Sequence, residues 1–147
     1  MTEITVRKGS ARDIDILHRC DTHISEEMLK DKIACRRILI AESGGEFAGW
    51  LRYGMFWDEM PFINMLYVLE KFRGKGIGTL LVTSWEQSMR SHGYSIFLTS
   101  TQAEESAQHF FRKQGYSDLG GFFPFGEGYE LIMGKKFDQQ EHRYGCR

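Results

Sequence analysis

The chain has 147 residues, room for one ordinary domain with a single substantial core. Apolar residues make up 41% and charged residues 27%, with a net charge of -1, which excludes a disordered chain and leaves no basic face for nucleic acid. No apolar run approaches the ~20 residues of a spanning helix, and Met1 to Val6 lack the basic start and apolar stretch of a signal peptide, so a cytoplasmic protein without a membrane partner is expected.

In chain order, Ile4 and Val6 alternate with polar neighbours over Glu3 to Arg7, a short strand. Ser10 or Asp13 can cap a following helix that turns Ile14, Leu17, Cys20 and Ile24 inward, and Ser25-Glu26 with Met28-Leu29 suggests another helical piece. Ile38 to Ala41 and Phe47 to Phe56 read as strands joined by the hairpin signal Ser43-Gly44-Gly45. A second turn, Trp57 to Pro61, leads into a strand from Phe62 to Val68. The period then changes. Ile77, Leu80, Leu81, Ser84, Trp85, Ser88, Met89 and His92 recur at helical spacing, predicting a helix from about Gly76 to His92, stopped by Gly93. Ser95 to Thr101 is a strand with Ile96 and Leu98 on one face. A second helix carries Ala107, Phe110 and Phe111 and closes at Gly115. Strands near Tyr116 to Leu119 and Tyr129 to Lys136 follow, giving an α/β or α+β layered fold with a mixed sheet.

Cys20, Cys35 and Cys146 form no CxxC pair, and His18 and His23, five apart, do not share a helical face. Neither a disulfide framework nor a metal site is expected.

The sharpest local feature lies where the strand ending at Val68 meets the helix starting near Gly76. Arg73-Gly74-Lys75-Gly76-Ile77-Gly78 alternates glycine with other residues, so backbone N–H groups can converge without Cβ obstruction. The first helical turn adds unpaired donors at the positive end of a helix dipole, and Lys71, Arg73 and Lys75 add charge. A pyrophosphate is the natural guest. The dinucleotide fingerprint fails because Thr79 stands where its third glycine would be, and a P-loop fails because Gly76 follows Lys75.

Arg73-x-x-Gly76-x-Gly78 resembles the coenzyme A signature of the GNAT superfamily of N-acetyltransferases, in which Arg or Gln stands three positions before G-x-G or G-x-A. Met65 to Val68 before it and the long amphipathic helix after it are similar to that family's central motif. Ser106 to Tyr116, an alanine-bearing helix running to a Gly-aromatic pair, resembles the next motif, and Val6-Arg7 with Asp13 is a weaker match to the first strand and helix. The likeness covers about residues 3 to 136.

The resemblance implies one GNAT-like domain over residues 1–137 and a mixed, mostly antiparallel sheet of about seven strands flanked by about four helices; the polar composition of 138–147 predicts a mobile tail. The resemblance also implies acetyl-CoA as cofactor and transfer of its acetyl group to a primary amine by direct attack in a ternary complex; the alternative is an acyl-CoA-binding module with lost or weak catalysis. The strand before the loop and the next strand would splay apart around the pantetheine arm. Main-chain groups of Leu66, Tyr67 and Val68 would bond that arm, Arg73, Gly74, Lys75, Gly76, Ile77, Gly78 and Thr79 would hold the pyrophosphate, and Phe110 or Phe111 would face the arm near the thioester.

Acyl transfer needs an unprotonated amine, a hydrogen-bond donor for the thioester oxygen, and relief of charge on the departing thiolate. The Val68 N–H is the candidate donor. The family commonly has tyrosine where Phe111 stands and often asparagine where Glu104 stands, and Asn64 and Met65 replace frequent acidic residues, so the usual acid and base are missing. Tyr116 and Tyr67 are candidate acids, and Asp58 and Glu59, beside Trp57, are candidate bases or attractors of a cationic amine. Trp50, Tyr53, Phe56 and Trp57, with the cluster Phe122-Phe123-Pro124-Phe125, suit an amine with an apolar body or a homodimer contact.

Overall fold

The protein is seen in a computed structural model that describes residues 2–138; the expected tail lies, from 139 onward, outside the described residues. Among the described residues there are seven strands and four α-helices: β1 (Ile4–Lys8), α1 (Ile14–Cys20), α2 (Glu26–Ala34), β2 (Ile38–Ser43), β3 (Glu46–Phe56), β4 (Met60–Val68), α3 (Ile77–Ser91), β5 (Ile96–Gln102), α4 (Ala107–Lys113), β6 (Ser117–Phe122) and β7 (Glu130–Lys136). The strands follow the order β1-β2-β3-β4-β5-β7-β6. β4 and β5 run parallel, whereas β1–β2, β2–β3, β5–β7 and β6–β7 are antiparallel, so the sheet is mixed and mostly antiparallel as expected. The chain divides into two compact units, residues 2–53 with 65–85, and 54–64 with 86–138.

In the first unit the amphipathic pattern becomes a core of Leu17, Leu29, Ile38, Ile40 and Trp50, with Ile14, Cys20 and Ile24 packed against it. Ser25 caps α2 by accepting the Met28 N–H, a bond that satisfies one of the orphan donors of the first turn. The hairpin between β2 and β3 turns on Gly44 and Gly45, at φ +60° and +82°, a conformation that costs glycine little. Below it, Asp21 at the end of α1 is fully buried and accepts Arg52 Nε at 2.8 Å and Trp50 Nε1 at 3.2 Å. One carboxylate thereby ties the turn after α1 to β3.

In the second unit β5 pairs with β7 along its whole length, Ile96 opposite Lys136 to Gln102 opposite Glu130. Phe97 and Met133 are fully buried there, as is Phe111 of α4. Both Phe97 and Leu98 are buried, so β5 is covered on two faces rather than the single Ile96–Leu98 face read from alternation. Pro61 belongs to β4 rather than to the turn before it, and the last two strands begin at Ser117 and Glu130, one residue later than expected at each.

α3 starts at Ile77 and ends at Ser91, with Gly93 at φ +93° after it, as the periodicity predicted. Its buried face includes Val82 and Glu86, which a hydrophobic stripe at 77, 80, 81, 84, 85, 88 and 89 does not name. A buried carboxylate is invisible to that pattern.

Candidate functional site

The glycine loop sits between β4 and α3. Gly74 and Gly76 adopt φ +78° and +81°, and a Cβ on either would meet no atom within 4 Å. Glycine is required there by the left-handed backbone, not by crowding within the protein, which leaves open space over both residues for a ligand. The helical ladder of α3 opens with the Leu80 N–H bonded to the Gly76 carbonyl at 3.0 Å, so the amides of Ile77 and Gly78 precede it. No acidic residue stands in the first turn of α3, unlike α2, which carries Glu26 and Glu27 there. The field at this helix start therefore favours an anion.

The loop cations divide into two kinds. Lys71 forms an ion pair with Glu46 and is largely neutralised. Arg73 and Lys75 have no carboxylate partner among the described residues; they lie over the rings of Tyr67 and Phe72, 5.2 and 5.7 Å from the ring centroids. Phe72 is buried and anchors the loop, while Arg73, Gly74, Lys75 and Gly76 are exposed. Arg73 Nε also donates to the Val68 carbonyl at 2.8 Å, joining the loop back to the end of β4. Leu66 and Val68 are half-buried there and Tyr67 is exposed, packed against the buried ring of Trp50. One unit thus brings together Leu66, Tyr67, Val68 and the whole expected phosphate loop from Arg73 to Thr79.

Of the remaining candidates, Trp50 and Tyr53 are buried in the first unit, Tyr53 edge-on to Trp85, and so offer no surface to an amine; the others belong to the second unit. Phe111 is core, in edge-to-face contact with Phe110 and Tyr116, whereas Phe110 is half-buried. Tyr116 is buried as well, and its hydroxyl donates to Glu86 Oε2 at 2.7 Å. Lys135 Nζ completes the cluster by donating to both Glu86 oxygens and to the Gln114 carbonyl. Burial, and then the adjacent Glu86 carboxylate, push the Tyr116 phenol far above its ordinary value. Asp58 and Glu59 are exposed in the turn from β3 to β4. That turn holds Trp57 and Asp58 at φ +52° and +66°, where a bulky tryptophan is strained. Phe56 stacks on Phe62 and packs at a tilt on Trp57, so the two carboxylates sit beside an aromatic surface. Phe122, Phe123 and Phe125 are all exposed.

Residues 12–116 match the sequence model of the acetyltransferase (GNAT) family. The chain belongs to that family. An uncharacterized N-acetyltransferase of Chlorobaculum tepidum is 29% identical over 85 residues, 57% of this chain and 52% of its own, so the alignment spans about half that relative's length. Among solved structures, Ard1 of Thermoplasma volcanium superposes with a TM-score of 0.81 at 16% identity, covering 92% of this chain and 99% of Ard1. The PaiA N-acetyltransferase of Thermoplasma acidophilum, solved in complex with coenzyme A, gives 0.71 at 18% identity, covering 92% and 99%. At these identities the structural likeness establishes the fold.

Within this GNAT domain two residues of consequence were not singled out from the sequence. Glu86 gave no signal, because its partners Tyr116 and Lys135 lie 30 and 49 positions away. Gly49 did give one: a glycine inside a strand pattern marks a close backbone approach. A Cβ there would lie 2.5 Å from the Tyr67 carbonyl oxygen. No helix of the described residues is long and apolar enough to cross a membrane.

Proposed function

We propose that the protein is an N-acetyltransferase that moves the acetyl group of acetyl-CoA to a primary amine by direct attack in a ternary complex. The observation that carries this reading is the loop: two glycines at positive φ with open space above them, a helix start without acidic residues, and two cations without carboxylate partners, all following a strand whose last residues reach the surface. These features suit a pyrophosphate joined to an extended arm, and family membership makes that group coenzyme A.

The coenzyme supplies an activated thioester. Loop amides from Gly74 to Thr79, with Arg73 and Lys75, bind the pyrophosphate, and main-chain groups of Leu66, Tyr67 and Val68 align the pantetheine arm as a strand edge would. The Val68 N–H donates to the thioester oxygen as negative charge develops on it. Phe110, half-buried where Phe111 is wholly core, is the aromatic residue assigned to the arm. Glu59 and Asp58 collect the ammonium form of the acceptor, and Glu59 takes its proton through water, while the aromatic surface of Phe56 and Trp57 receives the acceptor's apolar body. Tyr116 is assigned a structural role because its hydroxyl hydrogen is already engaged in a hydrogen bond to Glu86. No protein acid is then needed, since a thiolate is stable enough near neutral pH to leave unprotonated and can take up the second proton that the amine nitrogen sheds as the amide forms.

The test is thiol release from acetyl-CoA across a panel of amines, small and peptidic. Initial velocities should give an intersecting pattern, as a ternary complex requires, and ATP and NADH should fail to compete. Glu59→Gln should lower turnover by about 10²-fold or more with acetyl-CoA affinity little changed. Coenzyme binding without thiol release for any amine would leave an acyl-CoA-binding module instead.

A further inference from the structure

We infer that Arg73 and Gly49 are positioning residues that aim the Val68 N–H, so that Arg73 acts through its Nε–H as well as through its charge; this rests on the acetyltransferase reading given above. The geometry concerns two consecutive peptide groups at the end of β4. In the first, between Tyr67 and Val68, the carbonyl oxygen lies 2.5 Å from the position a Cβ of Gly49 would take, and the carbonyl carbon 3.5 Å from it. The difference, 1.0 Å, is most of a C=O bond length, so the carbonyl points at Gly49. In a trans peptide the N–H points the opposite way, and the Val68 N–H is therefore turned away from Gly49. Any side chain at position 49 would displace this peptide.

The second peptide, between Val68 and Leu69, is held at both ends. Its N–H donates to the Ala48 carbonyl at 2.8 Å, and its C=O accepts Arg73 Nε at 2.8 Å. Only φ and ψ of Val68 separate this peptide from the one that carries the donor, so holding this peptide at both ends while the Tyr67 carbonyl is packed on Gly49 restricts both torsions. The guanidinium is kept in place by the Tyr67 ring beneath it, and Tyr67 by the buried Trp50, whose Nε1 is bonded to Asp21. Arg73 thus commits its Nε to the strand end while its charge stays exposed beside the loop glycines.

Charge and brace can be separated by side-chain chemistry. The fourth side-chain atom is a nitrogen with a proton in both Arg and Gln, and a carbon in Lys. Arg73→Gln keeps a donor for the Val68 carbonyl and loses the charge; Arg73→Lys does the reverse. Steady-state kinetics should therefore cross. Lys should lower kcat about 10- to 100-fold, up to the cost of a small misplacement and below the about 10²- to 10³-fold of losing an oxyanion donor outright, with the coenzyme KM raised by less than about fivefold. Gln should raise KM more than Lys does, in a salt-sensitive way, with the smaller loss of kcat. Gly49→Ala should resemble Lys, losing kcat by more than KM rises. Nitrogen-15 NMR on the ligand-free protein gives a readout without turnover: the Arg73 Nε–H should exchange with solvent at least about tenfold more slowly than that of Arg19, the free-energy equivalent of one hydrogen bond. The inference is overturned if Arg73→Lys keeps its kcat, if Gly49→Ala folds and keeps its kcat, or if the Arg73 Nε–H exchanges as fast as that of Arg19. A wild-type protein that neither binds acetyl-CoA nor releases thiol would instead defeat the acetyltransferase reading, and the exchange rate would then decide on the brace alone.

Discussion

Asp13 accepts both terminal nitrogens of Arg7 at 2.8 Å and, with the same carboxylate, the main-chain N–H of Ser10 at 2.8 Å. The pair fastens β1 to the turn that starts α1, and Glu42 on β2 adds a weaker contact to Arg7 at 3.2 Å. The Arg7 guanidinium, ahead of the opposing effect of burial, holds the Asp13 carboxyl below its usual value. A depressed carboxylate contributes stability that is complete above its unfolded pKa of about 4 and is lost as pH falls through the lower folded value. Asp13→Asn should therefore be less stable than the natural chain at neutral pH, by a margin that is flat above about pH 5 and closes below about pH 4. Urea titrations at several pH values read that margin directly. A gap as wide at pH 2.5 as at pH 7 would mean that the carboxylate's charge is not what secures the strand.

At the scale of elements, Tyr116 and Glu86 are the informative pair. Their bond joins α3 to the residue that follows α4, and Lys135 of β7 closes the triangle with the Glu86 carboxylate. Tyr116 and Glu86 are buried and Lys135 is partly so, which makes the Glu86 carboxylate depend on its partners. Tyr116→Phe should cost about 1 to 3 kcal/mol of stability, since a charge-assisted bond is lost in the interior, yet leave kcat within about twofold, because removing a donor that never faces the reacting atoms removes no transition-state contact. Chemical denaturation and steady-state kinetics on the same preparation would check both halves; a tenfold fall in kcat with stability intact would restore Tyr116 as the acid. The same pair shows what sequence can and cannot carry. The helix around Glu86 was legible because periodicity is a local property, and so was the glycine-rich turn before it, whose glycines and cations are neighbours in the chain. The roles of Tyr116 and Phe111 were not, because they depend on side chains brought together from distant positions. Phe111 stands at a position where the family commonly has a tyrosine, and here it is packed between Phe110 and Tyr116 as core. The brace at Val68 falls between the two cases: Gly49 inside a strand announced a close approach without naming what approaches, and only the fold supplied Tyr67.

For the molecule as a whole, net charge is -1 over 147 residues, so a polyanionic coenzyme gains nothing from the global field. What attraction there is comes from the loop, where Lys71 is cancelled by Glu46 and the exposed Arg73 and Lys75 are not. Their reach is set by the Debye length, about 10 Å at 0.1 M salt and about 3 Å at 1 M. Binding should accordingly weaken with salt but not vanish, because the loop amides and the strand edge proposed to hold the coenzyme would act at contact and be screened little. Thermal unfolding measures this through linkage: a ligand at about 100 times its dissociation constant adds roughly 2.7 kcal/mol to the native state, a rise of about 5 to 10 °C for a chain of this size. Acetyl-CoA and CoA should both produce it at low salt, with ATP and NADH well below them. Raising salt to 1 M should reduce the rise without abolishing it, and Lys75→Ala should show a smaller rise at low salt but nearly the same one at high salt. A rise that is unchanged by salt would place the pyrophosphate away from Arg73 and Lys75. Complete loss at 1 M would mean that charge alone holds the ligand, leaving the open glycines at 74 and 76 without a part in binding.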